Sequence, residues 1–110
     1  MSKRDVGLYL EDISTAIGRL RKYVRGMDFA EFKKDDKTVD AVIRNLEIIG
    51  EAASKLTKDF QKKHDHIPWR KMVGLRNKVA HEYFGVDLEI LWATIREDLP
   101  GLKKEIDRLL

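Results

Sequence analysis

Four stretches of this chain repeat apolar residues every three or four positions, a period that fits amphipathic helices and fits strands poorly. Val6, Tyr9, Leu10, Ile13, Ala16, Ile17, Leu20 and Val24 form the first stripe, which stops near Gly26. Val39, Val42, Ile43, Leu46, Ile49, Gly50, Ala53 and Leu56 form the second, with Asp35, Asp36 or Thr38 available as its N-cap. Small residues at Gly50, Ala52 and Ala53 would let another helix approach it closely. A third, shorter helix starts at Ile67-Pro68-Trp69, since proline suits the first helical position, and Gly85 is its natural stop. The fourth begins after Val86 with Asp87 as N-cap and carries Leu88, Leu91, Trp92, Ile95, Leu99, Leu102, Ile106 and Leu109. Pro100 falls inside it and should kink it, because proline lacks a backbone donor and crowds the preceding turn. The polar stretch Asp28 to Lys37 and the charged run Lys58 to Asp65 read as connections. The expected fold is therefore all-α, an antiparallel four-helix bundle formed by one domain over residues 1–110.

The rest of the composition agrees. A chain of 110 residues can build one core and is too short for two. With 37% charged and 43% hydrophobic residues, two prolines and seven glycines, it has the balance of a soluble, mostly helical protein. Twenty-two Lys and Arg against nineteen Asp and Glu give a net charge of +3, which permits a polyanion as partner without demanding one. The absence of cysteine excludes a disulfide framework, a thiolate metal site and a thiol nucleophile. The opening Met-Ser-Lys-Arg-Asp and the lack of a long apolar run predict neither a signal peptide nor a membrane span, and a cytoplasmic address.

Chemistry concentrates in Arg76-Asn77-Lys78-Val79-Ala80-His81-Glu82-Tyr83, which puts a guanidinium, an imidazole and a phenol within two helical turns. Taken alone, an Arg and a His five apart on a helix are usually a surface charge and an imidazole capping helix carbonyls. At about 100° per residue the two lie roughly 140° apart around a regular helix, so they do not stack side by side. Two copies of this helix meeting across a two-fold axis would bring them together, which predicts a homodimer with a shared cleft.

Arg76-Asn77-x-x-x-His81 resembles the Arg-x(4–6)-His signature of HEPN domains, and Tyr83 extends it to the Arg-x-x-x-x-His-x-Tyr form of HepT-like toxins. The likeness continues through Arg44-Asn45-Leu46-Glu47-Ile48-Ile49-Gly50-Glu51-Ala52, Ile67-Pro68-Trp69-Arg70, Phe84-Gly85-Val86-Asp87 and Asp98-Leu99-Pro100, roughly the last two-thirds of the chain. The resemblance implies a metal-independent endoribonuclease that acts as a homodimer and is the toxin of a type VII-like toxin–antitoxin pair. It also implies an antitoxin partner, a minimal nucleotidyltransferase like MntA, that neutralises the toxin by transferring AMP to Tyr83. No cofactor and no metal are expected; the substrate is RNA, with tRNA among the candidates.

These residue types suit that chemistry. Neutral His81 could take the proton from a ribose 2′-hydroxyl while Arg76 holds the phosphate and stabilises the extra charge of the transition state. A second, protonated His81 from the other subunit could supply the leaving oxygen with its proton. Asn77 offers an amide for orienting phosphate or His81, and Lys78, Arg70 and Lys71 add positive potential. The Tyr83 phenol has little catalytic use at neutral pH, but AMP attached there would place bulk and negative charge where the RNA phosphate must sit.

Other groups read more plainly. His64-Asp65-His66 is expected to be a solvated loop, Trp69 and Trp92 packing residues, and the Lys58, Lys62 and Lys63 group a wet face. Glu47 and Glu51 share a helix face and are expected to meet Arg44, Arg76 or solvent. Two further functions fit the same residues: a non-catalytic helical interaction module that assists a partner nucleotidyltransferase, and a protein whose main role is to accept AMP on Tyr83.

Overall fold

The computed structural model describes residues 3–81 and 87–110, with side chains described for residues 5–76 and 87–110. The first stripe forms α1 (Lys3–Tyr23), which buries Leu10, Ile13, Ile17 and Leu20 almost completely. The chain turns out of it at Gly26, whose φ of 79° lies in the left-handed region that glycine enters without a Cβ clash.

The polar stretch that follows is not a plain connection. Asp28 caps a short helix, α2 (Phe29–Lys34), through a reciprocal box: its carboxylate accepts from Glu31 N at 2.8 Å, and Glu31 Oε1 accepts from Asp28 N at 3.2 Å. The helix buries Phe32 completely and packs the half-buried Phe29 beside it. The Trp92 ring lies 5.1 Å from Phe32 and 6.3 Å from Phe29, and the Arg96 guanidinium sits 5.5 Å from the Trp92 ring centre. Trp92 is thus packed on one face and covered by a cation on its outer edge.

The second stripe forms α3 (Asp36–Lys55), and of the three candidate caps Asp35 is used: its carboxylate accepts from Thr38 N at 3.0 Å. That hydrogen bond holds the Asp35 carboxyl below its ordinary pKa. The charged run is also partly helical, as α4 (Lys58–Lys63), capped by Thr57 Oγ1 on Phe60 N at 3.1 Å. Gln61 Nε2 donates to the carbonyls of Ala53 and Leu56, both at 3.2 Å, and so ties α4 back to the C-terminal end of α3.

α5 (Trp69–His81) begins directly after Pro68. Trp69 is buried, and its indole N–H donates to the His64 carbonyl at 3.0 Å, which fixes the entry to the helix. The last stripe is α6 (Leu88–Ala93), a π-helical turn (Thr94–Asp98) and α7 (Leu99–Arg108). Asp87 caps α6 through Glu89 N at 2.9 Å and Ile90 N at 3.4 Å. The break expected at Pro100 takes the form of this π turn, in which Leu99 N reaches back five residues to the Thr94 carbonyl. Widening the helix ahead of the proline eases the crowding its ring would cause and absorbs its missing donor.

α3 is central: it packs between α1 and α5 and also receives α2, while α7 lies along α1. The result is an all-helical bundle with no strand among the described residues, as the four stripes predict. Ile13, Ile17, Leu46, Ile49, Ile95, Leu99 and Ile106 fill its centre, each 1% exposed or less. Asn45 is the buried polar residue among those described, and its amide donates to the Ala41 carbonyl at 2.9 Å. On the surface, Asp107 joins α7 to α1: it accepts from Ser14 Oγ at 2.6 Å and from Lys103 Nζ at 2.8 Å. The Lys103 hydrogen bond, then that of Ser14, draws the Asp107 carboxyl below its ordinary pKa.

Candidate functional site

The small residues of α3 decide where α5 runs. A Cβ placed on Gly50 would lie 2.8 Å from the backbone nitrogen of Arg76 and 3.0 Å from its Cα, with the Arg76 Cβ nearer still. Gly50 is therefore the point of closest approach between the helices, and the residue it seats is the motif arginine.

From that seat the Arg76 side chain runs along α3. Its Nη1 donates to Ser54 Oγ at 3.3 Å and lies 4.0 Å from Glu51 Oε2. Ser54 in turn donates its hydroxyl proton to the Glu51 carbonyl at 2.7 Å. The side chain of Arg76 keeps 35% of its surface open and that of Glu51 62%, so this is a solvent-accessible ion pair of modest strength. A guanidinium presents paired N–H donors in one plane, the geometry that takes a phosphate in a bidentate fork.

Of the two glutamates on α3, Glu51 meets Arg76, while Glu47 Oε2 lies 3.7 Å from Arg44 Nη1. Each has a cation, so the spacing that suggested an acid–base pair serves two separate ion pairs. Ser54 was not singled out in the sequence. A serine four residues after Gly50 carries no motif, and its value arises only once α5 crosses at Gly50.

The helix carries the rest of the motif on its backbone. Asn77, Lys78 and His81 all lie within α5, and the 3.6-residue period sets Arg76 and His81 about 140° apart around its axis. The side chains of Asn77, Lys78 and His81 lie outside the described residues, as does Tyr83 altogether. Arg70 and Lys71 are exposed on the earlier turns of α5.

His66 Nε2 lies 3.3 Å from Glu105 Oε2, tying the entry of α5 to α7, and the His64 ring stacks 4.7 Å from Phe60. Among the described residues no group of three or more His, Asp or Glu side chains is placed to hold a metal ion, and no helix is long and apolar enough to cross a membrane. A groove of about 490 Å³ opens between α5 and the last helix. Glu97, Asp98 and Glu105 line it against a single Lys71, so its charge repels a polyanion.

The family model described as ribonuclease HepT-like matches residues 13–109. A Thermococcus cleftensis protein named "Probable ribonuclease HepT" is 48% identical over 107 residues, which are 97% of this chain and 97% of that protein. Two further relatives carry provisional RNase names. One, from Methanocaldococcus jannaschii, is 44% identical over 97% of this chain and 98% of its own length. The other, from Caldanaerobacter subterraneus subsp. tengcongensis, is 43% identical over 93% and 91%. No solved structure matches the chain. With the family model matched from the middle of α1 to the end of α7, and relatives nearly half identical along their whole length, the chain belongs to the HepT-like ribonuclease family.

Proposed function

We propose that this chain is a metal-independent endoribonuclease that cuts RNA at an Arg76–His81 centre completed by a second copy of α5. The observation that carries the reading is the seating of Arg76. The helix crossing at Gly50 fixes its backbone, and Ser54 and Glu51 flank a guanidinium whose side chain keeps 35% of its surface exposed to solvent.

In the reaction, neutral His81 removes the proton of a ribose 2′-hydroxyl, and that oxygen attacks the adjacent phosphorus. Arg76 binds the non-bridging oxygens and stabilises the charge that builds on them in the transition state. The 5′-oxygen leaves with a proton from an imidazolium, which the His81 of a second subunit supplies. The products are a 2′,3′-cyclic phosphate and a 5′-hydroxyl, so DNA is no substrate. Asn77 and Lys78 position the phosphate, and Arg70 and Lys71 add potential along the approach. Every step is acid–base or electrostatic, which is why the reading needs no metal and no cofactor.

The biological setting follows the family: a cytoplasmic toxin whose MntA-like nucleotidyltransferase antitoxin transfers AMP to Tyr83. An adenylylated Tyr83, two residues beyond His81, would bring a phosphate of its own into the cleft and repel the substrate's.

The test is to incubate wild-type and His81→Ala protein with total RNA and with tRNA in EDTA, and to determine the ends of the fragments. Cleavage by the wild type alone, leaving 2′,3′-cyclic phosphates, is the expected result. Equal cleavage by both would assign the activity to something other than this centre, and no cleavage of any RNA would favour the interaction module.

A further inference from the structure

Resting on the nuclease reading only for the choice of RNA as ligand, we propose that Arg21, Arg25 and Arg96 form a second phosphate site. It holds the backbone of the RNA away from the bond that is cut.

The three arginines come from two parts of the chain. Arg21 lies in the last turn of α1, Arg25 in the turn that follows it, and Arg96 in the π-helical turn of the last helix. Together they line a groove of about 300 Å³, with Val24, Ile95 and Pro100 as its apolar wall. Among the described residues no Asp or Glu lines it, the reverse of the groove beside α5, where three carboxylates face one lysine. The chain carries nineteen acidic residues, yet among those described none pairs with Arg21, Arg25 or Arg96, whose side chains form no hydrogen bond there either. Arg96 has one contact, its guanidinium 5.5 Å from the Trp92 ring centre, which restrains where its charge sits.

Ordinary helix chemistry covers only part of this arrangement. A helix C-terminus favours a cation in its last turn, which accounts for Arg21 and not for Arg96 on another helix. Three like charges around one groove repel one another, and an anion among them relieves the repulsion. Guanidinium donors match phosphate oxygens, and arginine keeps its charge at any physiological pH. Contacts of this kind hold a strand without reading its bases.

None of the groove's lining residues lies on α3 or α5, the helices that carry Arg76 and its contacts, so the site is distinct from the reacting centre. Both are within reach of one strand. A duplex strand advances about 3.4 Å per nucleotide, so about a dozen nucleotides cover the 42 Å of the protein's longest dimension.

The test variant is Arg21→Gln/Arg25→Gln/Arg96→Gln, which removes three charges and keeps much of each stem. All three residues are exposed, so the fold should hold, and circular dichroism checks it. The control is Lys58→Gln/Lys62→Gln/Lys63→Gln, which removes the same charge from exposed positions on α4. Binding is read by fluorescence anisotropy of a labelled single-stranded 2′-deoxy oligonucleotide, which cannot be cut, and cleavage by steady-state kinetics on the RNA of the same sequence. The arginine variant should bind about tenfold more weakly at low salt, with KM for RNA raised by about the same factor, kcat within about twofold, and the lysine control within about twofold throughout. Its slope of log affinity against log salt should fall by about 0.7 for each phosphate released.

Unchanged binding by the arginine variant, or equal losses in both triple variants, would overturn the site. Calorimetric titration with inorganic phosphate and with 5′-UMP distinguishes a free phosphate ligand from the strand. If either binds the wild type and not the arginine variant while oligonucleotide affinity is the same for both, the site serves a small phosphate and the RNA assignment falls. A wild type that binds the oligonucleotide through these arginines but cuts no RNA would bring down the nuclease reading and leave the phosphate site standing.

Discussion

Replacing Gly50 by Ala tests the contact on which the site is built. Alanine is the better helix former by about 0.8–1.0 kcal/mol, so at an unobstructed helical glycine the substitution should stabilise the protein. Gly74 in α5 and Gly101 in α7 are such positions, with nothing within 4 Å of the added carbon, and each should gain about 0.4–1 kcal/mol. At Gly50 the same carbon meets Arg76 N at 2.8 Å and Cα at 3.0 Å, and these are backbone atoms that cannot swing aside. To reach ordinary van der Waals contact, α5 must retreat from α3 by roughly half an ångström or more, and overpacking of this kind costs about 1–3 kcal/mol. Set against the propensity gain, Gly50→Ala should lie between neutral and about 2 kcal/mol destabilised.

The informative quantity is the difference from the two reference variants, which share the propensity gain and lack the clash. At about 4 °C per kcal/mol for a domain of this size, Gly50→Ala should melt about 4–12 °C below Gly74→Ala and Gly101→Ala. Thermal and urea denaturation followed by circular dichroism would measure it. Activity should fall further than stability, since displacing a catalytic group by about 1 Å can cost on the order of a hundredfold in rate. If all three variants gain stability equally, the close approach does not exist in solution. If Gly50→Ala is destabilised yet cleaves RNA at the wild-type rate, the seat of Arg76 has no bearing on the chemistry.

Four other outcomes are expected. Glu51→Gln removes an anion that competes with phosphate for Arg76; an exposed pair of about 0.2–1 kcal/mol predicts KM for RNA lower by about 1.5- to 5-fold at low salt, and an unchanged or raised KM would refute the competition. Arg76→Lys replaces a planar fork by a point charge and should lower kcat by on the order of a hundredfold or more in the same cleavage assay. Asp107→Asn loosens the link between α7 and α1. Because the folded-state pKa of Asp107 is depressed, its contribution is present above the ordinary carboxylate pKa of 3.8 and is lost as pH falls through the lower folded value, so urea midpoints of the two proteins should differ slightly at pH 7 and draw together as the pH is lowered below 3.8. Tyr83→Phe should remain toxic when co-expressed with a nucleotidyltransferase antitoxin, and neutralisation of that variant would point to occlusion by binding.

The helices that were easiest to read in the sequence are those whose apolar stripes bury a whole face. α1, α3 and the last helix each place a long-range core residue at every third or fourth position, so the period survives in the sequence. α2 and α4 escape this test for a physical reason: each is six residues long and contributes only one or two aromatics to the interior, Phe32 with the half-buried Phe29, or the half-buried Phe60, among charged neighbours. Their signal lies in the caps, Asp28 with Glu31 and Thr57 before Phe60, and not in periodicity. Pro100 announced an irregularity, but whether a helix bends or widens depends on what packs against it. Ile95 within the π turn and Leu99 just after it are both buried. An inserted residue in the spiral lets both keep facing the core.

The site divides the same way. Arg76 and His81 are legible because their spacing is a motif and their chemistry is specific. Gly50 was legible only in part: small residues on α3 imply a close neighbour, but nothing along the chain names that neighbour as the arginine. Ser54 was not legible at all, because its contact with Arg76 depends on three coincidences of geometry: the crossing at Gly50, the commitment of its proton to the Glu51 carbonyl, and the length of an arginine that reaches one turn along the opposing helix. Those are relations between helices, and a linear pattern records them only through the residues they permit. An arginine in a signature motif therefore suggests the chemistry, while the residues it meets on a different helix come into view only once the two helices are packed together.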